Sequence, residues 1–216
     1  MSDKINCEFL PNDYSYYDIS FKIMFIGEVA GKSCLLQKVT TGEFPDILPT
    51  VGFEFDTIDI KIDNVIIKLQ IWDTCSGGIY SSLRRDFYRV CDLVIIAYAI
   101  DSKESFNSVD YYLHEAKSNS KKNCHYFLIG NKKDLEYKRE VSKEEGEKFA
   151  KENKFDFFIE TSAKTGENLK DIFLEAAKIL YLSHKKEIEE IKERELEESK
   201  EKEKEINDRL MKYISF

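Results

Sequence analysis

Long apolar runs that suit fully buried strands constrain the fold of this chain more than any other feature. Leu93 to Ile100 is almost continuously apolar, and Tyr126 to Ile129 and Phe155 to Ile159 are shorter runs of the same kind. Helical patterns occupy the intervals near 104–117, 142–153 and 168–182. Strands that are apolar on both faces belong in the centre of a parallel sheet, and helices make the crossovers between them. The alternation therefore predicts an α/β fold with a doubly wound, mostly parallel sheet.

Two features nearer the start of the chain complete the predicted sheet. Phe21 to Ile26 is typical of a buried strand, and a helical stretch follows from about 31 to 39. Phe53 to Ile62 and Val65 to Trp72 are β-rich runs joined by Asp63-Asn64, which is a turn sequence. Such a pair predicts a hairpin and, with it, one antiparallel edge strand.

Composition and charge exclude several classes of protein. Of the 216 residues, 42% are hydrophobic, which is enough for a core and excludes disorder throughout. There are 41 acidic and 33 basic residues, and the net charge of −8 argues against nucleic-acid binding and against a basic membrane-binding surface. The five cysteines lack paired spacing, so we expect free thiols rather than disulfides or a zinc site. With no apolar signal core and no run near the ~20 apolar residues of a membrane span, we expect a soluble cytoplasmic protein.

The chain divides by composition into three parts. We expect a polar lead-in over residues 1–20, one domain over 21–182 and a charged extension over 183–216. From Lys185 to Glu205, 17 of 21 residues are charged, with ten Glu against seven Lys or Arg. No apolar residue occurs between Glu197 and Glu205, which favours a solvated helix over a dimerisation helix. The last stretch, 206–216, is apolar enough to dock onto the domain or onto a partner.

The sequence Gly31-Lys32-Ser33 lies between a predicted strand and a predicted helix, where phosphate-binding loops occur. In such a loop, backbone N–H groups and the helix N-terminus hold phosphates, the lysine reaches the outer phosphates and the serine hydroxyl holds Mg²⁺. The usual spacing has four residues between the two glycines, whereas only three separate Gly27 from Gly31. Either Ile26 takes the place of the first glycine or the loop is one residue tighter.

Three further polar segments follow predicted strands in chain order. Asp73, at the end of the hairpin, can place a carboxylate near a Mg²⁺-bound water. Asn131 to Asp134 follows the predicted strand Tyr126 to Ile129. A carboxylate there can accept hydrogen bonds from the ring N–H and the exocyclic amine of guanine, and adenine lacks this pair of donors. Thr161 to Lys164 follows the last strand and can bring a backbone N–H to the guanine oxygen. Four segments in this order predict a guanine-nucleotide site and disfavour a P-loop kinase or ATPase.

With these motifs, the chain from about 21 to 182 resembles a small GTPase of the Ras superfamily, nearest the Rab branch. The resemblance is carried by Pro49 to Phe55, Lys68 to Thr74, Phe87 to Arg89 and Lys103 to Phe106. It implies a P-loop NTPase G domain, a GTP/GDP switch in vesicle traffic and Mg²⁺ as cofactor. It also implies effectors, exchange factors and activating proteins that bind through switch I (44–55) and switch II (74–90).

The resemblance also implies roles for individual residues. The nucleotide-binding residues would be Gly27, Ala30, Gly31, Lys32, Ser33, Cys34, Thr50, Ser76, Asn131, Lys132, Asp134, Ser162, Ala163 and Lys164. The Mg²⁺ contacts would be Ser33, Thr50 and Asp73. The catalytic positions would be Lys32, Thr50 and Gly77.

The sequence departs from the family pattern after Asp73-Thr74. The family continues with Ala-Gly-Gln-Glu, whereas this chain reads Cys75-Ser76-Gly77-Gly78. The family's glutamine orients the attacking water, and Gly77 has no side chain with which to do so. Losing that orientation costs on the order of 10² in rate, so we expect weak GTP hydrolysis. We interpret Cys75 as an inert thiol rather than a redox sensor, and Arg84 and Arg85 as surface residues rather than catalytic ones.

A second departure concerns membrane attachment. Rab proteins close with one or two prenylated cysteines, whereas the last cysteine here is Cys124. We therefore expect no direct lipid anchor and membrane association only through a partner. The main alternative to a slow switch is a pseudo-GTPase that serves as an interaction scaffold with fixed or absent nucleotide, which the short phosphate loop and Ser76 favour.

Overall fold

The computed structural model describes residues 6–11, 16–45, 53–74 and 81–214. The strands are β1 (Cys7–Phe9), β2 (Ile19–Ile26), β3 (Phe53–Ile62), β4 (Val65–Thr74), β5 (Leu93–Ala99), β6 (His125–Asn131) and β7 (Phe157–Glu160). The helices are α1 (Lys32–Thr41), α2 (Ser81–Tyr88), α3 (Lys103–Asn119), α4 (Lys143–Glu152), α5 (Leu169–Ser183) and α6 (Lys185–Ile214), and a short 3-10 helix spans Lys133–Lys138. Every strand and helix predicted from the sequence is present, with ends shifted by at most a few residues.

The strands form one seven-stranded sheet in the order β1-β3-β4-β2-β5-β6-β7. The neighbours from β4 through β2, β5 and β6 to β7 pair in parallel, whereas β3 pairs antiparallel with β4. In the β3–β4 hairpin, Phe53 lies opposite Thr74 and Ile62 opposite Val65. The predicted α/β fold with a mostly parallel sheet, an antiparallel strand and a charged C-terminal helix is confirmed.

The outermost strand on one side of the sheet is β1, which the sequence analysis missed. It pairs antiparallel with β3, and Cys7 lies opposite Ile62 while Phe9 lies opposite Ile60. The segment predicted as a lead-in therefore contributes a strand, and β3 lies one strand in from the edge. Three residues give too short a pattern for an alternation to be recognised.

The core lies on both faces of the sheet, as the apolar runs predict. Alternate side chains of β5 point to opposite faces, and all seven of its residues are buried. Ile95 belongs to the cluster on the side of α1 and α5. Ile96 belongs to the cluster on the side of α3.

The 30-residue helix α6 is joined to the domain only near its start, as far as the described residues show. Ile188 is 3% exposed and belongs to the core cluster beneath α5, and the Lys192 ammonium pairs with the Asp18 carboxylate. All residues described from 193 onward are exposed, and the preference for a solvated helix over a dimerisation helix stays a prediction. Ile206 and Leu210 are more than half exposed and do not dock onto the domain. Among the described residues, no helix is long and apolar enough to cross a membrane.

Candidate functional site

The candidate site lies at the edge of the sheet where the carboxyl ends of the parallel strands meet. The loop after β2 carries Gly31 and Lys32, β4 ends with Asp73 and Thr74, and β6 ends with Asn131. In an open α/β sheet this edge holds the ligand. The fold therefore brings together segments that are far apart in the sequence.

The sequence left two alternatives for the loop after β2: Ile26 replaces the first glycine, or the loop is one residue tighter than usual. The structure favours the tighter loop. Ile26 stays in the strand, 1% exposed, with Ile96 as its neighbour on β5. Gly27 has a φ of 132°, and a Cβ on it would lie 2.0 Å from the carbonyl oxygen of Ala97. Only glycine fits there, so Gly27 is the first glycine of the loop.

The shortened loop has a strained residue at its tip. Val29 has a φ of 48°, a backbone region that is a real outlier for a β-branched residue. Its side chain is 72% exposed, so no burial offsets the strain. Gly31, with a φ of 72°, then lies at the N-cap of α1, directly before its first residue.

A buried cation is directed back into this loop. The Lys32 side chain is 7% exposed, and its Nζ donates to the Gly27 carbonyl oxygen at 2.8 Å. Lysine is rarely buried unless its ammonium has a partner. An ammonium held against the loop backbone is suited to anionic phosphate oxygens.

A buried carboxylate faces the first turn of α1. Asp73 is 0% exposed, and one of its oxygens, Oδ2, accepts a hydrogen bond from the Ser33 hydroxyl. Its other oxygen, Oδ1, has no hydrogen-bond partner among the described residues. Burial raises the pKa of Asp73, while the Lys32 ammonium and the Ser33 hydroxyl oppose that rise.

These groups fit a magnesium ion. Mg²⁺ prefers hard oxygen ligands and binds through one or two protein oxygens plus waters and substrate phosphates. Ser33 and Asp73 bring a hydroxyl and a carboxylate together, and the unpartnered Oδ1 is the kind of buried atom that needs a cation or its water. When bound, the ion would neutralise phosphate charge.

Asn131 connects two of the site loops. Its Nδ2 donates to the Ala30 carbonyl at 2.8 Å, and its Oδ1 accepts from the Ala163 backbone N–H at 3.1 Å. The residue is 1% exposed. Asn131 thus holds the phosphate loop against the Thr161–Lys164 loop, and its predicted contact with guanine stays a prediction.

Asp134 is oriented by a neighbouring loop. The Ser162 hydroxyl donates to Asp134 Oδ1 at 2.6 Å, and Ser162 itself is fully buried. A carboxylate has about four acceptor positions, so one such bond leaves capacity for the two donors of guanine. Ala163 is buried and Lys164 is exposed at the start of the following turn.

Sequence reasoning missed one charged residue of the site, Asp101, which follows β5. Lys132, in a left-handed conformation with a φ of 66°, places its Nζ 3.5 Å from Asp101 Oδ1. Asp101 follows β5 at the same edge of the sheet. A polar residue just after a buried strand was a usable signal, but the helix that begins at Lys103 obscured it.

Several predicted residues lie elsewhere or outside the described residues. Thr50, Cys75, Ser76 and Gly77 fall in the segments 46–52 and 75–80, which are not described. The Cys34 thiol lies in the first turn of α1, and burial raises its pKa. Arg84, predicted to be a surface residue, is instead 2% exposed and pairs with Glu115 on α3.

Beside the site, an aromatic cluster joins the two predicted switches. The Phe55 ring lies 5.2 Å from Trp72, and Trp72 lies 5.7 Å from Phe87 on α2. Phe55 is 58% exposed. We refer to Phe55, Trp72 and Phe87 as the aromatic surface.

A model of the Ras family matches residues 22–182. The chain belongs to the Ras family. As a Ras-family protein it is a small GTPase, that is, a GTP-binding switch with a P-loop and GTPase activity. The match runs from within β2 to the last turn of α5 and therefore covers every segment that builds the site described above.

Proposed function

We propose that this Ras-family chain is a Rab-like switch that binds GTP with Mg²⁺, hydrolyses it slowly and acts in vesicle traffic. The observation that carries the proposal is a buried lysine and a buried carboxylate at one end of the sheet. Lys32 supplies a cation for phosphates, and Asp73 beside Ser33 supplies oxygens for Mg²⁺. Paired in this way, the two groups suit a phosphate–metal complex and have no evident use without one.

Guanine is the base that the site supports best. The Asp134 carboxylate can accept from the ring N–H and the exocyclic amine of guanine, and Ser162 holds it in place at 2.6 Å. Adenine presents no such pair of donors, so a site built on that carboxylate rejects it.

Slow hydrolysis follows from the residues after β4. Gly77 occupies the position of the water-orienting glutamine, and Ser76 replaces a glycine. The phosphate, metal and base positions retain suitable residues, so binding is kept while turnover is weakened. The expected loss is on the order of 10² in the rate of hydrolysis.

The aromatic surface supports a protein partner at the switches. Its rings lie on β3, β4 and α2, and the exposed Phe55 offers an apolar contact of the kind that is enriched at interfaces. A cytoplasmic Rab-like protein of this kind would reach membranes through such a partner.

One observation favours the pseudo-GTPase alternative. The phosphate loop is one residue short, and its tip holds Val29 in a strained conformation. A loop under such strain is less suited to close around phosphates. In that case the chain would be a scaffold with fixed or absent nucleotide.

Identifying the nucleotide that co-purifies with the protein separates these functions. The protein is denatured and the released nucleotide is identified by chromatography. GDP indicates a working cycle and GTP a persistent on-state, and both support nucleotide binding. The absence of any nucleotide, together with no binding of added GDP or GTP in the presence of Mg²⁺, supports the scaffold.

Restoring the glutamine tests the hydrolysis proposal. Gly77→Gln should raise the single-turnover rate of GTP hydrolysis by about tenfold or more, because it returns a water-orienting side chain. Gly78→Gln, one residue further on, is the matched control and should leave the rate unchanged. A Gly77→Gln rate equal to that of the parent would contradict the proposal, as would a parent rate typical of an ordinary Rab.

A further inference from the structure

An ion pair at the carboxyl edge of the sheet joins the chain after β5 to the loop after β6. The Lys132 Nζ lies 3.5 Å from Asp101 Oδ1, and the two side chains are 30% and 18% exposed. Asp101 Oδ1 itself is buried and makes no hydrogen bond with any described residue. A buried carboxylate oxygen needs compensation, and in the part of the chain that the structure describes Lys132 is the cation that supplies it.

The backbone fixes the position of both members of this pair. The Ile100 N–H donates to the Asn131 carbonyl oxygen at 2.9 Å, and Asp101 and Lys132 directly follow these two residues. Ser102 then caps α3 with its side chain. The φ of 66° at Lys132 is a conformation that persists only where surrounding contacts hold it. The Asp101 carboxylate is therefore a fixed group to which a flexible lysine side chain is tied.

The tied ammonium lies near the first turn of α1. Burial raises the pKa of the Cys34 thiol in that turn, and the Lys132 ammonium opposes this rise. Cys34 directly follows Ser33, which belongs to the proposed phosphate and Mg²⁺ site. A lysine side chain loses much rotamer freedom when a ligand orders it. Asp101 removes this freedom before the nucleotide arrives, and such preorganisation strengthens binding.

The negative charge of Asp101 would by itself have the opposite effect on binding. Nucleotide phosphates are anionic, so a carboxylate near them weakens binding by repulsion. If only charge mattered, a neutral residue at this position would slow nucleotide release. If the carboxylate orients Lys132, a neutral residue would speed release. The direction of the change therefore separates the two effects, and salt separates them again because it screens charge repulsion.

We propose that Asp101 is a positioning residue of the nucleotide site. Its carboxylate holds the Lys132 ammonium in the orientation that binds nucleotide, and it thereby slows nucleotide release. Asp101 acts through Lys132 and makes no contact of its own with the nucleotide. This inference rests on the proposed function, in which Lys132 is a nucleotide-binding residue.

The test measures the release of a fluorescent GDP analogue from the full chain in the presence of Mg²⁺, at low and at high salt. Asp101→Asn removes the charge at nearly constant size, and Asp101→Glu keeps it. Lys132→Met removes the ammonium, and a double variant combines Asp101→Asn with Lys132→Met. Asp92→Asn is the matched control, because Asp92 precedes the same strand at its opposite end and pairs with Lys121 there.

Asp101→Asn should release the analogue about fivefold faster than the parent or more, at both salt concentrations, because Lys132 loses its orientation. Lys132→Met should accelerate release at least as much. Since Asp101 acts through Lys132, the double variant should release no faster than Lys132→Met. Asp101→Glu should lie between Asp101→Asn and the parent, and Asp92→Asn should match the parent.

The proposal would be overturned by a folded Asp101→Asn protein that releases the analogue at the parent rate or more slowly. Additive effects in the double variant would also overturn it. If Asp101→Asn fails to fold, Asp101→Glu decides, measured alone and combined with Lys132→Met in the same cycle.

The same measurements separate this proposal from the proposed function. If Lys132→Met accelerates release and Asp101→Asn does not, only the positioning role fails. If Lys132→Met releases the analogue like the parent, Lys132 does not contact the nucleotide, and its assigned place in the site fails together with the role of Asp101. If the parent binds no nucleotide, the proposed function and this inference both fail.

Discussion

At the scale of single residues, two buried aspartates show how differently a carboxylate can be used. Asp59 is 1% exposed, and the Lys68 ammonium donates to its Oδ2 at 2.9 Å and lies 2.7 Å from its Oδ1, so both oxygens face a cation although Oδ1 makes no hydrogen bond. Asp73 is 0% exposed, and its Oδ1 lacks a hydrogen-bond partner among the described residues. The first carboxylate supports the fold, whereas the second is kept at the expense of stability.

Asp73→Asn should therefore stabilise the protein when neither nucleotide nor metal is bound. Removing the buried charge should raise the free energy of unfolding by about 1 kcal/mol, since a buried charged group without full compensation is unfavourable. The same variant should lose the stabilisation that Mg²⁺ adds to the nucleotide-loaded parent. Thermal unfolding with and without EDTA measures both effects.

Asp59→Asn is the control for this experiment. It should destabilise the protein by roughly 3 kcal/mol, because Lys68 would lose its buried partner. If both variants changed stability in the same direction, the distinction between a supporting and a functional carboxylate would be wrong.

The strained tip of the phosphate loop makes a second residue-scale prediction. Val29→Gly should raise the free energy of unfolding by about 1 kcal/mol, because glycine adopts a positive φ without strain. Lys154, with a φ of 58°, is exposed and not β-branched, so Lys154→Gly should give a smaller gain. Chemical denaturation of the two variants measures the difference. A Val29→Gly protein less stable than the parent would contradict the claim that Val29 is strained.

The sequence predicted single site residues best where a polar group directly follows an apolar strand. Asn131 and Asp134 were assigned to the carboxyl edge of the sheet in this way, because parallel strands bring their carboxyl ends to one edge, and their contact with guanine stays a prediction. The burial of Arg84 could not be predicted, since it depends on Glu115, which lies 31 residues away. Local pattern carries no information on such a pairing.

At the scale of elements, α6 shows how a highly charged helix is held to a domain. Its last tie to the domain among the described residues is Lys192, whose ammonium meets Asp18, a carboxylate with a side chain only 2% exposed. Asp18 also accepts from the Ile66 backbone N–H and the Tyr16 hydroxyl, each at 2.7 Å. Burial acts to raise the pKa of Asp18, but these hydrogen bonds outweigh it and hold the pKa below its usual value.

The pH dependence of stability follows from this lowered pKa. The stabilisation of the folded protein by ionised Asp18 should be complete above the ordinary aspartate pKa of 3.8. It should disappear as the pH falls through the lower pKa that Asp18 has in the folded protein. Asp18→Asn should therefore destabilise the protein at pH 7 and have little effect at the acid end of that window. Thermal unfolding of both proteins from pH 7 downward measures the difference, and a constant difference across this range would contradict the linkage.

The strands and helices of the domain were predictable because their apolar patterns are long. The helix α6 was predictable from charge alone, since its Glu and Lys residues favour a solvated helix. Its attachment was not, because Ile188 is a single apolar residue in a charged run and Asp18 lies in a polar segment far away. Tertiary contacts of this kind leave no periodic signal.

At the scale of the whole molecule, the short strand β1 has a consequence outside the GTPase reaction. It pairs with Ile60 to Ile62 of β3, and the Leu10 backbone N–H extends the pairing to the Asp59 carbonyl at 2.8 Å. Without β1, these backbone groups would belong to the open edge of the ten-residue strand β3, and long open edges recruit strands from other molecules, whereas a three-residue edge strand recruits them poorly.

Glu8→Pro should therefore lower the concentration at which the protein aggregates, because proline removes a backbone donor and weakens the pairing of β1. Glu8→Ala, which keeps the backbone donor, should behave like the parent. Light scattering on a concentration series compares the three proteins, and equal scattering from all of them would contradict this role. The three residues of β1 would then matter most in a crowded solution, where they keep one copy of the sheet from extending into the next.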